Sequence, residues 1–155
     1  MGVLSVLSCP AKAISEAQKT ALVDHCASIK EDLRSLQKAD ARTRVYLGSY
    51  LETALSKFIV PLNLRLVENN LSSADFIENQ NDFVAKKSAF INDFISYQQH
   101  LEELVAMNCG REPEKFYEKL VKVRDKRAIV ERDVLALRTL LSEHVKLVLA
   151  LGSKL

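Results

Sequence analysis

The fold of this chain is decided by residues 116–151, FYEKLVKVRDKRAIVERDVLALRTLLSEHVKLVLAL. Apolar side chains recur there in alternating steps of four and three residues, a mean of about 3.5, which is the heptad value. They are Phe116, Leu120, Val123, Val130, Val134, Leu137, Leu141, Val148 and Leu151, with Arg127 and His144 in the two remaining places. Pro113 suits the first turn of a helix. This stretch therefore predicts a long helix over about 113–151 with a left-handed coiled-coil seam.

The preceding part of the chain repeats this spacing. Its apolar positions are Phe76, Phe83, Phe90, Phe94, Tyr97, Leu101 and Leu104. Ser72 or Ser73 can cap the start of a helix, and Gly110 is well placed to end it. A second helix is expected over about 73–108.

A third seam lies nearer the N-terminus, at Leu22, Cys26, Ile29, Leu33, Leu36, Leu47, Tyr50, Ala54 and Phe58. Ser15 and Gln18 form a capping-box pattern, and Pro61 should kink or end the helix, which predicts a helix over about 15–60. A short helix over 62–67, before a turn at 68–70, is the alternative to an end at Pro61. Short connections between long helices imply antiparallel neighbours. The chain is thus expected to be all-α, an antiparallel up-down-up three-helix bundle forming a single domain over 14–155.

Composition excludes several classes of function. Of the 155 residues, 22 are basic and 20 acidic, so the net charge of +2 provides no broad attraction for nucleic acid, and no nucleic-acid partner is expected. The basic residues of 115–132 alternate with acidic ones, among them Glu118, Glu131 and nearby Asp133, a pattern typical of a solvated helix face. No segment after residue 13 has the roughly 20 apolar residues of a membrane span, so no transmembrane helix is expected in the mature chain.

Residues 1–13 are interpreted as the remnant of a signal peptide or as an apolar tail. The run GVLSVLS at 2–8 is followed by Ala11-Lys12-Ala13, which has the small-x-small spacing of a signal-peptidase site. The run is short, however, and no basic residue precedes it. Export to a secreted or periplasmic location is predicted, with a cytoplasmic location if this segment is not a signal remnant.

The helical register predicts a disulfide. A turn near residues 66–67 would place Cys26 opposite position 107, close to Cys109. Removal of Cys9 with a leader would leave this even pair, and disulfides persist in oxidising compartments. The alternative is two reduced cysteines, with Cys26 in the core and Cys109 in a turn.

Polar residues in the seams also align by height. Arg127 falls close to Asp40, which predicts an inward polar pair that fixes register more than it adds stability. His144 falls near Glu78 and Gln80, and Lys87 falls near Tyr46. The alternative is that these residues lie at the seam's edge and reach solvent.

Residues for catalysis or metal binding do not converge. The histidines, His25, His100 and His144, lie at different predicted heights, and the sequence has no Cys-x-x-Cys and no Gly-rich phosphate loop. We therefore expect no enzymatic activity, no metal and no cofactor.

Three hypotheses of function follow. The first is an exported structural or protein-interaction bundle of a bacterial envelope or periplasm, with a protein partner or self-association. The second is a cytosolic coiled-coil adaptor or oligomer subunit. The third is a small-molecule carrier that uses the aromatic stripe Phe83, Phe90, Phe94 and Tyr97, a stripe also explained by core packing.

Overall fold

The computed structural model describes residues 14–153, which are helical throughout apart from short turns and contain no strand. The helices are α1 (Glu16–Asp24), α2 (Cys26–Thr53), α3 (Val60–Glu68), α4 (Ala74–Ala106) and α5 (Pro113–Gly152), and a π-helical segment (Ala54–Ile59) joins α2 to α3. The all-α prediction is confirmed. The segment interpreted as a signal remnant, 1–13, lies outside the described residues.

The two helices with the clearest periodicity begin and end close to their predicted limits. They form an antiparallel pair with more backbone contact than any other two elements. In the turn between them, Asn108 Oδ1 accepts hydrogen bonds from the backbone N–H groups of Gly110 and Arg111. Pro113 then begins α5, where a missing N–H costs nothing because the first turn has no acceptor for it.

The prediction of one helix over 15–60 is wrong. The backbone leaves helical geometry at His25 (φ −104°, ψ 13°). The continuation beyond residue 60 to Glu68 agrees with the alternative of a short helix over 62–67. Pro61 does not end the helical path. Proline lacks an N–H and its ring crowds the carbonyl of the preceding turn, and the wider turn of the π-helical segment before it relieves that conflict.

The core lies along α4, which packs against α5 on one side and α2 on the other. Its fully buried members include Phe83, Leu101 and Leu104 of α4 and Phe116 of α5. Each such side chain contributes about 1.5–3 kcal/mol by leaving water. By contrast, α2 and α5 make little direct backbone contact within residues 14–153, so one side of the assembly is open between them.

Candidate binding groove

The predicted cysteine pair comes together at one end of the molecule. The sulfur atoms of Cys26 and Cys109 lie at disulfide distance, with Cα atoms 5.6 Å apart. Cys109 is fully buried, and nearby Lys30 Nζ donates to the Met107 carbonyl at 3.0 Å. The predicted register placed position 107 opposite Cys26, so the structure departs from it by less than one helical turn.

Asp40 and Arg127 also meet, but they share their contact with a third residue. Arg127 Nε donates to Asp40 Oδ2 at 3.2 Å, and the buried Tyr97 hydroxyl donates to the same oxygen at 2.7 Å. Asp40 points inward, with a side chain 15% exposed, whereas the Arg127 side chain is 42% exposed and also donates to Glu131. The Asp40 side chain is therefore directed into the protein as predicted, whereas the Arg127 side chain is partly exposed to solvent.

The sequence pattern did not single out Tyr97 for this role. The other members of its aromatic stripe are phenylalanines, so the Tyr97 hydroxyl is the only polar group in the stripe and the one feature that could have indicated a hydrogen bond there. Burial and the neighbouring Asp40 raise the pKa of Tyr97. The hydrogen bond to Asp40 raises the pKa of Arg127. Both therefore remain protonated donors at neutral pH, and the Asp40 carboxylate accepts from both.

A cavity of about 430 Å³ lies beside this network, in the open side between α2 and α5. Thr43 and Leu47 form the α2 wall, and α4 forms the floor with Phe90, Phe94 and Tyr97. The α5 wall consists of Arg127, Val130, Glu131, Val134 and Leu135. Apart from Thr43 and the charged residues at its end, the lining is largely apolar.

A second cavity, of about 560 Å³, follows on the same side toward α3. Its walls are formed by residues of α2, the π-helical segment and α3 on one side and by residues of α5 on the other. They are Tyr50, Thr53, Ala54, Lys57, Phe58, Ile59, Pro61, Leu62 and Arg65, facing Leu141, His144, Val145, Val148 and Leu149.

We call these two neighbouring cavities together the α2–α5 groove. They share no lining residue, and on α5 their linings extend from Arg127 to Leu149. At 1.5 Å per residue this length of α5 is roughly 33 Å. Several apolar side chains on its walls are exposed, among them Phe58 at 66% and Leu149 at 69%, whereas others such as Ile59 are buried. A site of this kind suits an elongated apolar partner surface.

His144 lines the α3 end of the groove and is itself buried. Its Nδ1 lies 3.2 Å from Asn79 Oδ1, and Asn79 Nδ2 donates to the Leu140 carbonyl at 3.0 Å. Because the amide orientation makes Asn79 Oδ1 an acceptor, His144 carries its proton on Nδ1, and Nε2 is a bare acceptor. Nε2 has no partner among the described residues, and burial lowers the pKa of His144.

Charge is unevenly distributed along the groove. At the Asp40 end, the two carboxylates of Asp40 and Glu131 both pair with the single cation Arg127, so the acidic groups outnumber the basic one. At the α3 end the charged lining residues are Lys57 and Arg65, and neither makes a salt bridge within residues 14–153. This end of the groove is therefore apolar with a basic margin.

Other polar residues lie away from their predicted surroundings. Lys87 forms a salt bridge with Glu52 rather than facing Tyr46. Asp133, assigned by pattern to a solvated face, is buried next to Lys86, and burial is the main cause that raises its pKa.

Within the described range 14–153, no three His, Cys, Asp or Glu side chains are grouped as metal ligands. None of the helices described there is apolar over a length sufficient to cross a bilayer. Comparisons with protein-family models, curated proteins and solved structures gave no match to this chain.

Proposed function

We propose that this chain is a non-enzymatic binding protein of the bacterial envelope or periplasm, and that the α2–α5 groove receives a protein partner. In this proposal the helices act as three rods, formed by residues 16–68, by α4 and by α5, arranged up, down and up. The single observation that carries it is the apolar groove left open between the first and third rods.

The exposure of the groove walls supports a protein partner. Tyr50, Phe58, Val145 and Leu149 are all more than half exposed, on walls that face each other. Exposed apolar patches that are contiguous and flanked by polar residues commonly mark interaction sites. A long groove between two helices is the form in which proteins bind an amphipathic helix.

Export is supported by the cysteine pair. An oxidised Cys26–Cys109 pair would persist in the periplasm or outside the cell, whereas cytosolic thiols are kept reduced. Cell fractionation with mass spectrometry of the mature N-terminus tests this. A cytosolic chain with intact Met1 and free thiols would favour the adaptor hypothesis instead.

Cross-linking in the native compartment, followed by purification and mass spectrometry, tests the binding function. Wild-type protein is compared with Leu149→Asp, which places a charge on the groove wall, and with Ile91→Asp, a matched change on exposed α4 surface outside the groove lining. We expect a cross-linked protein with wild type and Ile91→Asp that Leu149→Asp loses. Equal cross-linking by all three would contradict the proposed groove.

A second candidate function, a small-molecule carrier, is favoured by one observation. Three of the four stripe aromatics, Phe90, Phe94 and Tyr97, line the 430 Å³ cavity, which lies in the size range of small-molecule sites. Phe83 lies outside that lining and is fully buried. Native mass spectrometry of protein purified without denaturant would reveal a bound molecule, and filling the cavity with Thr43→Phe should remove it.

A further inference from the structure

We propose that the α3 end of the groove binds an amphipathic helix whose apolar face is flanked by acidic side chains. This inference rests on the proposed binding function and specifies the partner's chemistry. It joins two independent features of the same walls, the spacing of the apolar residues and the sign of the charges beside them.

The apolar residues of α5 are spaced for packing against two neighbouring helices, but only one of the two sets is covered by a helix. Leu137 is buried in the core, and His144 is buried against α4 while it also lines the groove. Val134, Leu141 and Val148 follow at heptad intervals on the groove side. In a coiled coil both sets of seam positions are covered by partner helices. Here α4 covers the first set, and the second set borders the groove.

The opposite wall supplies the rest of such a site. Tyr50 and Phe58 stand eight residues apart, and both are exposed to the groove. A helix lying between these side chains and Val148 would bury apolar surface from both walls at once. Burial of that kind is the main driving force of association.

The charges at this end of the groove indicate which charge the flanking residues of the partner helix carry. Lys57 and Arg65 line this end without an internal salt bridge to any described residue, and no carboxylate joins them in the lining. A basic helix would add repulsion, whereas acidic flanking residues would meet both cations. Charge complementarity of this type acts mainly on specificity and association rate.

A second copy of the chain fits less well. A two-fold dimer uses the same patch on both copies. Groove-to-groove pairing of the α3 ends would therefore bring Lys57 and Arg65 of one copy close to the same two cations of the other. An acidic partner helix has no such conflict.

Synthetic peptides test the proposal directly. The probe is an amphipathic peptide of about 18 residues, roughly 27 Å long as a helix, with Leu on one face and Glu on its flanks. The control peptide has the same sequence with Lys in place of every Glu. Binding of each labelled peptide to the full chain is measured by fluorescence anisotropy at low and high salt, and the His144 ring signals are followed by NMR.

The informative variant is the double charge reversal Lys57→Glu with Arg65→Glu. Its matched control, Arg132→Glu with Lys146→Glu, reverses two exposed cations outside the groove lining. We expect the Glu peptide to bind wild type and the control and to shift the His144 signals. The informative variant should weaken that binding at least tenfold and should favour the Lys peptide.

Several outcomes would overturn the inference. Equal binding of the two peptides to wild type, or an equal loss in variant and control, would remove the charge argument. Dimerisation of the free chain that Leu149→Asp abolishes would identify a second copy as the occupant. Groove-dependent binding to phosphatidylglycerol vesicles, in place of the peptide, would identify a lipid surface.

The same variants separate this inference from the binding function on which it rests. If Leu149→Asp abolishes binding of both peptides while charge reversal has no effect, the groove binds helices without charge selection and only the inference fails. If Leu149→Asp has no effect on peptide binding or on cross-linking in the native compartment, both fail.

Discussion

The Tyr97 hydroxyl donates a 2.7 Å hydrogen bond to Asp40 Oδ2, linking the C-terminal third of α4 to the centre of α2. Tyr97 is almost completely buried, and Asp40 is largely so. A buried carboxylate is costly unless donors reach it, so this bond favours the register in which α2 places Asp40 beside Tyr97. Arg127 supplies the second donor from α5.

Replacement of Tyr97 by Phe should lower the free energy of unfolding by about 1–3 kcal/mol, because a buried charged acceptor loses a donor. Urea unfolding followed by circular dichroism measures the change. Tyr117→Phe is the control, since Tyr117 is on α5 and its hydroxyl makes no hydrogen bond within the described residues. In an Asp40→Asn background the Tyr97→Phe change should cost less. Equal costs in both backgrounds would show that the two residues are not coupled.

Oxidation of Cys26 and Cys109 should stabilise the chain by roughly 2–4 kcal/mol, because the crosslink restricts the unfolded ensemble. Dithiothreitol should therefore lower the melting temperature of wild type and leave Cys26→Ala with Cys109→Ala unaffected. Thiol labelling with intact-mass measurement reports the oxidation state before melting. Labelling of both Cys26 and Cys109 in native protein, with no effect of the reductant, would instead support a reduced pair.

His144 should make stability dependent on pH. Burial lowers its pKa below the ordinary value of 6.5, so the unfolded chain takes up a proton more readily than the folded chain. The stabilisation linked to neutral His144 is therefore complete above pH of about 6.5 and is lost as the pH falls toward the lower pKa of the folded state.

Urea titrations at pH 7 and pH 5 on wild type and His144→Gln measure this linkage. Wild type should lose more stability between the two pH values than the variant does. His25→Gln, at an exposed position on α1's C-terminal end, controls for loss of a histidine as such. The same pH slope in wild type and His144→Gln would contradict the assignment.

Two alanine substitutions on α4 test which face of that helix packs in the core. Leu101 is fully buried, whereas Ile95 lies on the outer face and is 41% exposed. Leu101→Ala should cost about 2–5 kcal/mol because it removes packed atoms and leaves a cavity. Ile95→Ala should cost less than about 1 kcal/mol. Similar losses for both variants would mean that the assigned core face is wrong.

The parts of the fold that were predictable from sequence depend on local signals. The limits of α4 and α5 follow from heptad spacing together with Pro113 and the turn residues near Gly110, all of which act within a few residues. Pro61 indicates a disturbance of the helix near residue 60, but it does not indicate that the helix widens into a π-helical segment and continues, and the break at His25 has no sequence signal of this kind.

The errors in the predicted register between residues 16–68 and α4 arise from the position of the α3–α4 turn and from the π-helical segment. The α3–α4 turn follows Glu68 rather than centring on 66–67, which displaced the predicted partner of Lys87 from Glu52 to Tyr46. Yet Cys26 still meets Cys109, because the first rod uses more residues over its length than α4 does, and a π-helical turn holds extra residues per turn. Asp133 was misassigned because an i,i+4 charge pattern cannot reveal burial by the adjacent helix.

The position of Cys109 just before the last connection has a topological consequence. When the two sulfurs are bonded, residues 26–109 become a closed covalent ring that contains α2, α3 and α4. The helix α5 lies outside this ring and is joined to it covalently only through the α4–α5 connection. A protease cut in the α3–α4 turn would then leave both fragments attached to each other. A cut after Arg111 would instead leave α5, which forms one entire wall of the groove, held to the rest of the protein by noncovalent contacts alone.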